Sequence, residues 1–248
     1  MHHFFVEPSG IVDGMVTITG PDVNHMRNVL RVRDGDEFYA GTGTDGLLYR
    51  CRIEQTGTDS VKARILWAEH EKAELPCEIT LYQGLPKSDK MEMIIQKAVE
   101  LGVHEIVPVA MKRSVVKLSG GKAEARIKRW NAISESAAKQ SRRMYIPPVG
   151  PVLTTPQAAK KAAGSDVILL PYELAGGMGH TSEVLHSIPP GQSVALFIGP
   201  EGGFEPEEVR MLEEAGAMPI TLGRRILRTE TAGMAVLSML MMLLEEES

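Results

Sequence analysis

Val194-Ala195-Leu196-Phe197-Ile198-Gly199-Pro200-Glu201-Gly202-Gly203-Phe204-Glu205-Pro206 is the stretch that decides the fold. Five consecutive apolar residues without polar alternation predict a strand buried on both faces, as in a parallel sheet. The glycines that follow permit positive φ and close approach of a ligand to the backbone. Pro206 then opens a helix in its favoured first-turn position, with Glu207 and Glu208 suited to the positive helix end. Working outward, the pattern repeats. Strands are expected at 79–81, 105–109, 167–170, 194–198 and 219–222, and helices at 90–101, 123–141, 206–215 and 232–244. Strands alternating with helices imply an α/β fold with a parallel sheet covered on both faces.

Residues 1–72 read differently. Strand-like runs at 16–19, 37–40, 47–53 and 60–67 are separated by turn signals. One helix at 21–30 carries Val23, Met26, Val29 and Leu30 at helical spacing. Short strands spaced this way predict a small β-barrel. Gly41-Thr42-Gly43-Thr44-Asp45-Gly46 matches GxGxxG literally, yet it leads into a strand at Leu47 rather than into a helix. Asp45-Gly46 therefore reads as a hairpin turn, not a dinucleotide fingerprint. The change of pattern between 71 and 76 divides the chain into domains 1–72 and 73–248.

The 248 residues are 43% apolar and 24% charged, which excludes a disordered chain. No apolar run reaches the roughly 18 residues of a membrane span, and 232–244 reads as a buried helix. The N-terminus lacks a basic region followed by an apolar one, so no signal peptide is expected. Cys51 and Cys77 lie far apart without CxxC partners, and the seven histidines show no ligand spacing. A cytoplasmic protein without disulfides, metal or membrane contact follows. The net charge of −5 conceals an asymmetry: −4 over 1–75, +7 over 76–160 and −8 over 161–248. Ten Lys/Arg crowd into 112–143 beside only Glu124 and Glu135. Such a segment is either a polyanion-binding surface or a solvated helix face.

Ligands of an open parallel sheet bind outside the carboxyl ends of its strands. Three loops leave such ends: Pro171-Tyr172-Glu173, the glycine loop 199–203, and 223–231. The three Glu at 205–208 argue against a phosphate loop at the start of the following helix. The third loop sets Arg224, Arg225 and Arg228 beside Glu230 just before the apolar C-terminal helix. A helix start needs one cap, which Thr229 or Thr231 can supply, and not three arginines. Arginine suits a phosphate or a developing anion, the plainer alternative being surface ion pairs with nearby Glu.

In these loops the chain resembles a known family. Residues 197–204 (FIGPEGGF) and 222–232 (LGRRILRTETA) are similar to the two signature segments of the 16S ribosomal RNA (uracil-1498 N3) methyltransferases, members of the SPOUT class. Residues 91–103 (MEMIIQKAVELGV), 112–117 (KRSVVK) and 129–143 match as well, so the resemblance runs nearly end to end. Met93 stands where the family commonly has Trp, and Arg142 where Gly is common.

The resemblance implies a PUA-like β-barrel over 1–72, then a SPOUT methyltransferase domain over 73–248 with a trefoil knot at about 165–248. It implies S-adenosylmethionine as cofactor, held by Leu170, Gly199, Pro200, Glu201, Gly202, Leu222, Gly223, Ile226, Leu227 and Thr231. It implies 16S rRNA as substrate, within the assembled 30S subunit, and a homodimer. Uracil N3 carries a proton and becomes nucleophilic only when it leaves. Arg228 is then expected to stabilise the base anion or grip its phosphate, and Glu230 to act as general base or to orient Arg228. Lys112, Arg113, Lys117, Arg126, Arg129, Arg142 and Arg143 would contact RNA phosphates, with a local patch of Arg27, Arg31 and Arg33 in the first domain. Two other readings compete: a catalytically silent RNA-binding protein, separated by cofactor titration, and a SPOUT enzyme with a different target, separated by nucleoside analysis.

Overall fold

A computed structural model describes residues 2–70, 73–118, 120–172 and 176–246. The chain forms two compact units, residues 1–74 with 138–146, and residues 75–137 with 147–248. Residues 71 and 72, at the expected boundary, lie outside the described residues. The return of 138–146 to the first unit was not foreseen: these residues sit at the end of a helix that reads as continuous from sequence.

The first unit is one six-stranded sheet of β1 (His3–Phe5), β2 (Ile11–Val12), β3 (Met15–Thr19), β4 (Glu37–Gly41), β5 (Leu47–Thr56) and β6 (Ser60–His70), in the order β1-β4-β5-β6-β3-β2. All pairings are antiparallel except β1 with β4. Alternation sends Phe4, Val16, Ile18, Phe38, Cys51, Ile53 and Val61 to one buried face. Gly46 has φ +64°, and the Asp45 carboxylate accepts a hydrogen bond from the Leu47 amide at 3.0 Å, as a turn requires. The helix expected at 21–30 forms only as α1 (Pro21–Asn24), which passes into a wider π-helical turn at His25–Leu30. That turn stops at Arg31, which has φ +55°.

Arg143 is a correction to the sequence reading. Expected to meet RNA phosphates, it is only 2% exposed and its guanidinium is clasped by the Glu74 carboxylate within the first unit. Glu74→Ala should therefore destabilise this unit by about 3 kcal/mol, the low end for stripping a partly exposed carboxylate from a buried guanidinium. Thermal unfolding followed by circular dichroism checks this; an unchanged Tm would refute it. Its neighbour Arg142 is exposed at φ +64°, the conformation glycine adopts most readily.

The second unit contains β7 (Glu78–Gly84), α2 (Lys90–Glu100), β8 (Glu105–Ala110), α3 (Gly121–Ser141), β9 (Leu153–Thr154), α4 (Thr155–Ala162), β10 (Val167–Pro171), α5 (Met178–His186), β11 (Ser193–Ile198), α6 (Pro206–Glu214), β12 (Met218–Ile220) and α7 (Thr229–Glu246). The last four residues of α3 belong to the first unit. The six strands are all parallel, in the order β12-β10-β11-β7-β8-β9. Tyr82 and Phe197 stack at 4.5 Å on the face covered by α4 and α6. On the other face Gly233 of α7 lies over Ile198 and Leu81, and α2 and α5 pack against α7. Both cysteines are buried and free, and burial pushes the Cys51 thiol up to about 12. Among the described residues no helix is long and apolar enough to cross a membrane, and no cluster of three His, Cys, Asp or Glu is placed to hold a metal.

Candidate active site

The sheet order locates the site. From β7 the chain builds outward through β8 and β9, crosses to β10, and returns with β11 beside β7. The direction of winding thus reverses between β7 and β11, and ligands bind outside the carboxyl ends at such a point. A fourth loop leaves the sheet here, Leu85–Asp89 after β7, which the sequence reading did not include. Gly84 closes β7 against the glycine loop: a Cβ there would lie 2.6 Å from the Pro200 nitrogen. A chain of hydrogen bonds ties the same elements together. Gln83 Nε2 donates to Thr229 Oγ1 at 2.9 Å, and that hydroxyl donates to the Gly199 carbonyl at 2.6 Å. Thr229, buried at the start of α7, therefore spends its hydroxyl on the glycine loop rather than on a helix cap.

The acids after the glycine loop have structural work that explains them. Glu205 and Glu208 form a capping box for α6. Glu208 is buried and accepts from the Lys112 amide at 3.0 Å and from Thr155 Oγ1 at 2.6 Å. Arg113 pairs with Glu205 at 3.0 Å and donates to the Gly202 carbonyl at 2.8 Å. The stretch read as phosphate-binding thus begins with residues that brace the loop. Thr181 of α5 braces the third loop in the same way, donating to the Thr221 carbonyl and accepting from its amide.

Lys90, at the first turn of α2, was missed from sequence. Its ammonium lies 3.1 Å from Glu201 of the glycine loop and 3.3 Å from Glu230 of α7. It joins three elements that are distant in sequence. The hydrogen bond to Glu201 raises the Lys90 pKa, so the ammonium stays charged. Burial works against the Glu201 carboxylate, but its own amide, the Lys87 amide and Lys90 outweigh that and hold its pKa below the usual 4.5. A depressed carboxylate contributes stability in full above its unfolded pKa and loses it as pH falls through the folded value. Lys90→Met should therefore lower Tm near neutral pH and flatten its fall toward acid, the two profiles converging once Glu201 is protonated in both. An equal Tm for both proteins at neutral pH would refute this role.

A cavity of about 630 Å³ opens at the switch point, with Lys90, Arg113 and Arg228 on its rim, the glycine loop as floor, and Tyr172, Ile226 and Leu227 as apolar walls. A second, of about 410 Å³, shares those walls and is bounded by Leu222, Gly223, Arg224 and Arg225. Of the residues expected to hold a cofactor, Gly199, Pro200, Glu201, Gly202, Leu222, Gly223, Ile226 and Leu227 line these spaces. Leu170 and Thr231 line neither: the Leu170 side chain is fully buried in the core, and Thr231 is exposed. Glu173, in the first expected loop, lies outside the described residues. Arg228 faces the larger cavity, and its side chain makes no hydrogen bond or ion pair among the described residues. Glu230 pairs with Lys90 rather than with Arg228, so its expected role as orienter of Arg228 is not what the structure shows.

The basic segment is only partly free. Lys112 pairs with Glu207 at 3.0 Å, Arg129 with Glu92 at 2.8 Å, and Arg126 stands 4.0 Å from Asp89. Lys117 and Arg142 are exposed. In the first unit Arg27 and Arg31 are exposed, with Arg27 donating to the Thr58 carbonyl at 3.3 Å.

The chain matches the RNA methyltransferase domain over residues 73–241 and the RNA methyltransferase PUA domain over 18–66. It is 38% identical over 225 residues to ribosomal RNA small subunit methyltransferase E of Bacillus subtilis, covering 90% of this chain and 88% of that one. The corresponding Mycobacterium tuberculosis protein is 34% identical over 241 residues, covering 94% and 88%. Among solved structures, ribosomal RNA small subunit methyltransferase E of Neisseria gonorrhoeae bound to S-adenosylmethionine superposes with a TM-score of 0.81 at 32% identity, over 98% of both chains. On these matches over most of its length, this chain belongs to the RNA methyltransferase family that includes ribosomal RNA small subunit methyltransferase E.

Proposed function

We propose that the protein transfers a methyl group from S-adenosylmethionine to N3 of one uridine, position 1498, in 16S rRNA. The observation that carries this reading is Arg228, unpaired among the described residues, facing a switch-point cavity floored by the glycine loop. The substrate is the assembled 30S subunit, and the enzyme is a cytoplasmic homodimer whose apolar α7 supplies contact surface. Residues 1–72 act as a PUA-like β-barrel and 73–248 as a SPOUT domain knotted over about 165–248. Arg27, Arg31, Lys117, Arg126, Arg129 and Arg142 serve RNA phosphates, while Lys112 and Arg113 brace the glycine loop and the helix that follows it.

The residues present fit the cofactor. A Cβ on Gly199 would meet Phe204 at 3.2 Å, and one on Gly202 would meet Arg113 at 3.0 Å, so the loop offers backbone where side chains have no room. Tyr172, Ile226 and Leu227 give a purine ring its apolar walls, and backbone groups of 222–223 and 199–202 give it hydrogen-bond partners. When bound, the cofactor supplies an electrophilic methyl on a sulfonium.

The chain's own residues then have two tasks. Arg228 holds the negative charge that develops on the uracil ring as N3 loses its proton. Glu230 takes that proton. Lys90 is shared between Glu201 and Glu230, so neutralising Glu230 leaves the ammonium paired with Glu201 and strands no charge. The test is transfer of labelled methyl from S-adenosylmethionine to unmodified 30S subunits. Label in small-subunit RNA is the expected result. No label with the cofactor still bound would refute the reading.

A further inference from the structure

We propose that the outward face of the first unit's sheet is a stacking platform for unpaired RNA bases, built on Tyr39 and Trp67. This rests on the reading of the protein as an enzyme acting on RNA. Cross-strand register aligns His3 with Tyr39, Tyr39 with Arg50, and Arg50 with Trp67, one row across four strands. Phe38 and Ala40 are buried, so Tyr39 between them points away from the core.

Trp67 reaches that side through an irregularity. Cys51 pairs with Ile65 and Arg50 with Trp67, so β6 carries Leu66 as an extra residue between them. A bulge re-aims the side chains beyond it. Without it Trp67 would follow Ile65 onto the core face. Instead its ring lies 6.0 Å from Tyr39, which in turn lies 5.0 Å from His3. All three rings remain partly open to solvent.

Charge decides what such a row suits. Glu37 holds both Arg50 and Arg52, at 2.7 Å and 2.8 Å, and the register sets Arg50 in the row between Tyr39 and Trp67. Exposed Arg142 lies close enough to His3 for its charge to act on the imidazole. Burial, and after it Arg142, lower the His3 pKa, so at neutral pH His3 offers a ring face rather than a charge. Rings on a sheet face with arginines beside them suit bases for stacking and phosphates for pairing. A purely structural aromatic ladder would need neither the arginines nor the bulge.

The sequence has two tryptophans, and Trp130 is buried in the second unit, so Trp130→Phe leaves Trp67 as the sole reporter. That variant is titrated with single-stranded oligouridylate and with duplex RNA of equal length, following fluorescence. The expected result is saturable quenching by the single strand and weaker quenching by the duplex. Tyr39→Leu in the same background should weaken single-strand binding roughly tenfold, and Tyr39→Phe should retain it. Absence of quenching by the single strand, or equal affinity in the Tyr39→Leu variant, would overturn the proposal. Because this readout needs no methyl transfer, failure of the methyltransferase reading would appear separately in the 30S assay.

Discussion

Arg228→Ala lowers kcat for methyl transfer by about 100- to 1,000-fold and leaves S-adenosylmethionine affinity within about twofold, the loss expected when one preorganised charge facing a developing anion is removed. Lys90, Arg113, Arg129 and Lys112 are each matched to a carboxylate in the second unit. Arg228 lines the same cavity as Lys90 and Arg113, and its guanidinium has no acid partner among the described residues. Its backbone is fixed nonetheless: the Arg228 carbonyl accepts from the Thr231 and Ala232 amides, both at 2.9 Å, in the first turn of α7. An exposed arginine just before α7, anchored through its carbonyl and with an unspent charge, stands ready for an anion that arrives with the substrate. Lysine at this position should recover part of the rate. A variant with wild-type kcat would remove Arg228 from the chemistry. A loss confined to KM would move its role to phosphate binding.

Gly84→Ala should weaken S-adenosylmethionine binding at least tenfold and cost about 1–3 kcal/mol of stability, the range for overpacking a tight contact. The added methyl would sit 2.6 Å from the Pro200 nitrogen, 2.7 Å from Pro200 Cδ and 2.9 Å from Met111 Sδ. The first of these is backbone, so relief must come from moving the glycine loop itself. A shift of about 1 Å in a positioned element is enough to cost two orders of magnitude in rate. Gly164→Ala is the control, because its nearest neighbour, the Lys161 carbonyl, is 3.6 Å away. Calorimetric titration of both variants with the cofactor distinguishes the cases. Equal affinities for Gly84→Ala and wild type would mean that the junction of β7 and the loop does not shape the site.

The central strands of the second unit were legible because they carry short unbroken apolar runs, as at 167–170 and 194–198. α4 and α5 were not. The buried face of α4 is Thr155, Ala158, Ala159 and Ala162, and that of α5 is Thr181, Val184 and Leu185, too few large apolar groups to declare a period. β1, β2 and β9 have two or three residues each and owe their existence to their partners. The glycine and arginine loops announced the site by composition. Lys90 stayed hidden because the switch point is a property of strand order, and no local signal says that β7 lies beside β11. Gly84 closing a strand six residues before a helix was the one available hint. Arg143 was misread for a related reason: in sequence it is one more cation in a basic run, while its carboxylate partner, Glu74, comes from 69 residues away.

The most direct measurement is nucleoside mass spectrometry of 16S rRNA after incubation of unmodified 30S subunits with the enzyme and S-adenosylmethionine. The expected result is a single new species, 3-methyluridine, formed far more slowly in the Arg228→Ala reaction. A different methylated nucleoside would leave the cofactor site standing and contradict the assignment of the N3 chemistry.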